Sequence, residues 1–190
     1  MNEFSLGESI AALQSIMLYG IMRVTISGRS YSEINSSIVR TMEKLSFRWS
    51  ALTATPFSTR HTRDTRPTWE EWICEETRRR ISVTCFLLAL TIGNDPSNPI
   101  VNPNNHILPA SKALWEARTR AAWERLYVQQ QTSDSAPRLE TVGDFIIAKL
   151  GGVGRSKSDM SADLVDDMIG KWYAEMDGLG MMLAAVVASL

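Results

Sequence analysis

The residues of this chain that could do chemistry are few and scattered. It holds two histidines, His61 and His106, and two cysteines, Cys74 and Cys85. A zinc site takes three or four ligands at short spacing, and no Cys-x2-Cys or His-x3-His pair is present, so no metal is expected. Neither a Gly-x-Ser-x-Gly elbow nor a dinucleotide fingerprint occurs, so no serine nucleophile and no cofactor are indicated. Asp163, Asp166 and Asp167 stand at i, i+3 and i+4, a pattern that can hold Mg²⁺ on a diphosphate. That use needs a second acidic cluster across a larger bundle, and the simpler reading is an acidic first turn favoured by the helix dipole. The run Gly151-Gly152-Val153-Gly154-Arg155-Ser156-Lys157-Ser158 has the composition of a phosphate loop. No glycine precedes Lys157, however, and a helix rather than a strand comes before, so it reads as a hinge. Arg60, His61, Arg63 and Arg66 read as a solvated loop.

The densest grouping is Thr68-Trp69-Glu70-Glu71-Trp72-Ile73-Cys74-Glu75-Glu76-Thr77-Arg78-Arg79-Arg80. Its tryptophans and arginines offer stacking and anion contacts to a ligand or partner. The same residues also suit a scaffold role, with tryptophans fastening the helix start and arginines paired to acids within it. Thr68 stands three residues before Glu71, the spacing of a capping box. Glu75 precedes Arg79 by four, and Glu76 precedes Arg80 by four. A nearly all-apolar run through Leu90 follows, and Gly93, Asn94 and Pro96 stop it. The expectation is a helix of about two dozen residues, amphipathic at its start and buried at its end.

The elements that must position this helix are themselves helical. Ile10, Leu13, Ile16, Met17, Tyr19, Ile21 and Val24 predict a mostly buried first helix ending near Ser27-Gly28. Ser30 or Ser32 caps a second, with Ile34, Ile38, Met42 and Leu45 inward, and the two form an antiparallel hairpin. Residues 50–67 form a polar connection that Trp49, Leu52 and Phe57 could pin, and 94–109 an extended, turn-rich one. A helix capped by Ser111 turns Leu114, Trp115, Ala117, Ala121, Ala122, Leu126 and Tyr127 to the core and frays at Gln129-Gln130-Gln131. A short helix spans about 139–150. A last one begins at Ser158 or Ser161 and runs to the C-terminus, weakened midway by Gly170, Gly178 and Gly180. Its apolar end hints at a partner helix. No alternating β segment rises above this pattern, so the fold class is all-α: one irregular bundle of about six helices over residues 1–190.

Composition narrows the partners. Twenty basic residues against 21 acidic ones leave no footprint for direct nucleic-acid binding. With two cysteines and no apolar leader, the expectation is an intracellular, soluble chain. Cys74 and Cys85 lie about 16 Å apart along one helix, too far to bond to each other, and read as two buried thiols. No stretch reaches the ~18 apolar residues that span a bilayer; the nearest is 179–190.

Two further stretches share the order and spacing of a known family with the tryptophan helix. One is Leu108-Pro109-Ala110-Ser111-Lys112-Ala113-Leu114-Trp115-Glu116-Ala117 with Trp123 after it; the other is Leu13-Gln14-Ser15-Ile16-Met17-Leu18-Tyr19. Together these resemble the fungal-specific transcription factor domain, the middle region of zinc-cluster regulators. Ala89 stands where the family often carries an aspartate, so no polar role is carried over to that helix end. The resemblance implies a nuclear setting, control of transcription, and effector sensing or partner contact through a helical cleft, without the six-cysteine DNA-reading module. Trp69, Trp72, Glu76, Arg79, Trp115 and Trp123 are the expected ligand- or partner-binding residues, the partner being a small-molecule effector, another protein or a second copy. The rival is a small-molecule enzyme of fungal secondary metabolism on the same scaffold, a cyclase acting by shape and hydrogen bonding in the cytoplasm. Its Trp- and Met-rich interior would line the pocket.

Overall fold

A computed structural model describes residues 5–27, 33–53, 66–92, 98–132, 138–150 and 162–189. Within them the chain forms α1 (Leu6–Ser27), α2 (Glu33–Thr53), α3 (Trp69–Ile92), α4 (Lys112–Trp115), α5 (Arg120–Thr132), α6 (Val142–Leu150), α7 (Ala162–Glu175) and α8 (Gly178–Val187). Among the described residues there is no strand, only one antiparallel bridge between Ile107 and Thr141. The all-α expectation holds. His61, Arg60, Arg63 and Phe57, the caps at Ser30 or Ser32, the stop at Gly93, Asn94 and Pro96, and the glycine run 151–158 lie outside the described residues.

Three helix starts are set by reciprocal capping boxes, in which a hydroxyl and a carboxylate each accept the other residue's backbone N–H. Thr68 N–H donates to Glu71 at 2.9 Å and Glu71 N–H to the Thr68 hydroxyl at 3.2 Å. Thr141 and Asp144 repeat this at 2.8 and 3.0 Å, and Ser5 and Glu8 at 2.7 and 3.3 Å.

Among the described residues there are eight α-helices rather than about six, because two expected helices each break. The chain expected to run on from Ser111 stops after Trp115, and Ser111 makes no side-chain cap bond. Thr119 instead caps a new helix, accepting from Ala122 N–H at 3.2 Å, so a side-chain bond replaces helix continuation. The break turns Trp115 and Ala121 outward rather than to the core. Gln129, Gln130 and Gln131 are helical, not frayed. The last helix divides at Asp177, whose carboxylate accepts from Leu179 and Gly180 N–H at 3.0 and 3.2 Å. Gly170 stays inside α7. The second helix runs on through Thr53, past the expected start of the polar connection.

At 100° per residue, α3 carries two apolar stripes on opposite sides. Ile81, Cys85, Leu88 and Ile92 pack with Leu13 and Met17 of α1 and with Ile38, Val39 and Met42 of α2. Val83, Phe86 and Leu87 pack with Phe145 of α6, Met168 of α7 and Leu183 and Val187 of α8. Its first turns join a third cluster of Trp72, Leu114 and Trp123. At three described glycines, Gly20, Gly143 and Gly180, an added Cβ would come within 3 Å of a neighbour. A Cβ on Gly20 would sit 2.6 Å from Leu88 Cδ2, and one on Gly143 would sit 1.9 Å from Asn104 Oδ1.

Two burial expectations are corrected. Cys85 is buried, and burial pushes its thiol up to about 12, but Cys74 is exposed: it lies in line with Ile81 and Cys85, two turns before the buried part of that stripe begins. The first helix is not mostly buried: Leu18, Tyr19, Ile21, Met22 and Ile26 are all exposed. That helix also overturns the statement that no stretch could span a bilayer. Gly7–Ile26 is long and apolar enough by length and composition, since scattered Ser, Gln and Thr lower its hydropathy little; 22% of it is buried in this fold.

Candidate functional site

The six sequence-nominated residues converge around the first half of α3. Trp72, Glu76 and Arg80 recur every four residues and so share one edge of the helix. Trp72 packs on Trp123 of α5 with ring centroids 5.7 Å apart, and Trp123 packs on Tyr127 at 4.9 Å. Trp69 is half-buried against the same cluster. The Arg66 guanidinium lies over Trp123 and Tyr127, 5.8 and 5.7 Å from their centroids.

Glu76 is the hub, and its side chain is fully buried. One carboxylate oxygen accepts from Arg80 Nε and from Ala110 N–H, each at 2.9 Å, and the other accepts from Arg79 Nη1 at 3.2 Å. A carboxyl that only accepts is in its ionised pattern. Burial raises its pKa, against the pull of Arg79, Arg80 and the Ala110 amide. Arg80 spans outward from this hub. It donates to Asp177 at 2.5 Å and lies 4.1 Å above the Trp115 ring. Burial acts to raise the Asp177 pKa, but bonds from Arg80, Gly180 and Leu179 outweigh it and hold the group below its usual value. Arg78 pairs with Glu75, one residue short of the expected spacing, so the acid–base pairs run at i+3 as well as i+4.

This geometry joins four segments: α3, the Leu108-Pro109-Ala110 step, α4 through Trp115, and the start of α8. Trp72, Glu76 and Trp123 are closed to solvent and cannot contact a ligand directly; Arg79 is half-buried, and Trp115, at 38%, is the open aromatic. Arg79 Nε, Arg80 Nη2 and Trp123 Nε1 are buried donors that no described group accepts. Asp177 and the Ala110 amide were not nominated from sequence, and Tyr127 was expected only as a core residue. Asp177 carries a local signal, an Asp directly before a glycine-rich helix start. Nothing local points to the Ala110 amide.

A second buried polar pair lies one turn along α3. Ser82 Oγ and His106 Nδ1 are 2.7 Å apart, and His106 Nε2 is 2.7 Å from the Ile100 carbonyl. A carbonyl can only accept, so Nε2 carries the proton and Ser82 donates to Nδ1. Burial depresses the imidazole to about 4, against the Ile100 bond, and its ring packs on Phe86 at 4.9 Å. A serine donating to a neutral histidine resembles half of a nucleophilic pair, but both residues are buried. Their role is to fix the 98–106 connection to α3. Asp163, Asp166 and Asp167 are exposed, and Asp167 pairs with Lys171 at 2.7 Å.

No protein-family model, curated protein or solved structure matches this chain. Fold and site together define a class by architecture only: an all-α module built around one central helix, locked at its N-terminal half by a buried ion network.

Proposed function

We propose that this chain is a regulatory, non-catalytic helical domain that binds an effector or a protein partner, like the middle region of fungal transcription regulators. The observation that carries this reading is the interlock of the two stretches that bear the resemblance. Glu76 holds the Ala110 amide, Arg80 stacks on Trp115, and Trp72 packs on Trp123. Residues separated by 34 positions in sequence, as Glu76 and Ala110 are, form one joint. Packing of the two stretches against each other supports the reading that they belong to one structural signature. In this reading the nominated residues are mainly scaffold. The open face of the joint, Trp115 with Arg80 over it, is where an effector or partner makes contact. The setting is nuclear, and DNA is read by a separate module.

The test is a fusion of the chain to a heterologous DNA-binding module in a fungal reporter strain. The expected result is output that differs from the module alone and that Trp115→Ala shifts while the far-ultraviolet circular dichroism is unchanged. A folded fusion whose output equals that of the bare module overturns the reading.

A further inference from the structure

The outward side of α1 carries no charge from Ala11 to Ile26. Its exposed positions are Leu18, Tyr19, Ile21, Met22 and Ile26, flanked by Ala11, Gln14, Ser15 and Thr25. At 100° per residue these nine fall within a continuous sector of about 160° that has Leu18 near its midline, while Leu13, Met17 and Gly20 point the opposite way into the core. Arg23, the only charged residue in the span, is half-buried outside that sector.

We infer that this face pairs with the same face of a second copy of the chain, in an antiparallel two-fold dimer. Three arguments select that occupant. A two-fold pair sets each surface against itself, and this face, uncharged from Ala11 to Ile26, meets its own copy with no like-charge conflict in a register centred on Leu18. The five large side chains, each 45–78% exposed, present on the order of 300–500 Å² of apolar surface. That is the size of patch that marks an interaction site on a soluble protein. With the flanking small residues, two copies bury on the order of 1,000 Å² in all, the low end of specific interfaces, which fits a weak and reversible dimer. Third, the helix is ill-suited to lie on a lipid surface. Such helices present lysine and arginine beside the apolar face, whereas the far side of α1 is packed on α2 and α3. In an antiparallel pair running from Ala11 to Ile26, the two-fold axis passes beside Leu18, so Leu18 meets its own counterpart.

Sedimentation of the purified full chain from low-micromolar to near-millimolar concentration tests this. The expected result is a reversible monomer–dimer equilibrium that Leu18→Glu weakens by about a hundredfold or more through like-charge apposition. An equimolar mixture of Leu18→Glu and Leu18→Lys chains should restore it, since Leu18 is 62% exposed and either variant keeps the fold. Circular dichroism checks that retention. A chain that stays monomeric throughout overturns the inference, as does a dimer indifferent to Leu18→Glu or a mixture that fails to re-pair. Binding of the wild-type monomer to phosphatidylcholine vesicles, lost in Leu18→Glu, assigns the face to lipid and overturns it too.

Discussion

The two sides of α3 bury similar apolar stripes but are attached to their neighbours by different means. Toward α1 and α2, Ile81, Cys85, Leu88 and Ile92 meet aliphatic side chains, and Gly20 brings α1 close enough for Leu88 to fill the space over it. Toward α6, α7 and α8, packing of Val83, Phe86 and Leu87 is accompanied by directed bonds: Glu76 to Ala110, Arg80 to Asp177, Ser82 to His106. Apolar packing dominates the first side, and it tolerates conservative change in hydrophobic volume. The second is positioned by angle and charge, so it fails sharply when one member is removed.

The largest expected effect lies on the directed side. Glu76→Ala leaves Arg79, Arg80 and the Ala110 amide without their common acceptor, and should cost about 3–5 kcal/mol in urea unfolding. A loss below about 1 kcal/mol would show that the network is not a joint. The corresponding break on the aliphatic side is Leu88→Ala, expected at about 2–5 kcal/mol. Gly20→Ala alone should destabilise by about 1–3 kcal/mol through overpacking. The double variant should cost clearly less than the two together, because the shortened side chain makes room for the new methyl. Simple additivity would mean that Leu88 does not set the approach of α1.

Acid sharpens the same contrast. His106 has a folded pKa of about 4, below its ordinary 6.5, so the unfolded chain takes up the proton first. Its contribution is therefore complete above pH ~6.5 and falls away as pH drops toward 4, by about 3 kcal/mol in all. His106→Gln should flatten that part of the pH–stability curve. A wild-type curve with no slope between those limits would contradict the buried neutral imidazole. The smallest effect is Arg66→Ala, which removes an exposed cation from two aromatic faces and should cost about 0.5–1 kcal/mol.

Much of the aliphatic side was legible in sequence, because periodicity reports it directly: Leu13, Met17, Ile38 and Met42 recur at helical spacing and are buried. Local motifs were legible too; the Thr68–Glu71 box follows from spacing alone. What escaped was anything set by partners distant in sequence. Periodicity marks α1 as apolar but cannot say that only half of its apolar surface has a neighbour. The split of α4 from α5 depends on Thr119 taking a cap that Ser111 does not, a competition between two equally plausible hydroxyls. Of the site, the tryptophans and Glu76 nominated from sequence do lie together around the first half of α3. The Ala110 amide was invisible because a backbone N–H carries no pattern, and Asp177 showed only its helix-cap signal, not its bond to Arg80.

The Arg80–Asp177 bond joins positions 97 residues apart. On the ribosome, α1, α2 and α3 emerge together and can close one side of the core while the partners of the other are still unmade. At ordinary translation speeds the nascent chain holds Val83, Phe86 and Leu87 uncovered for on the order of 5–20 s before α8 arrives. The order of synthesis thus leaves one stripe of the central helix uncovered until the last of its partners arrives to close it.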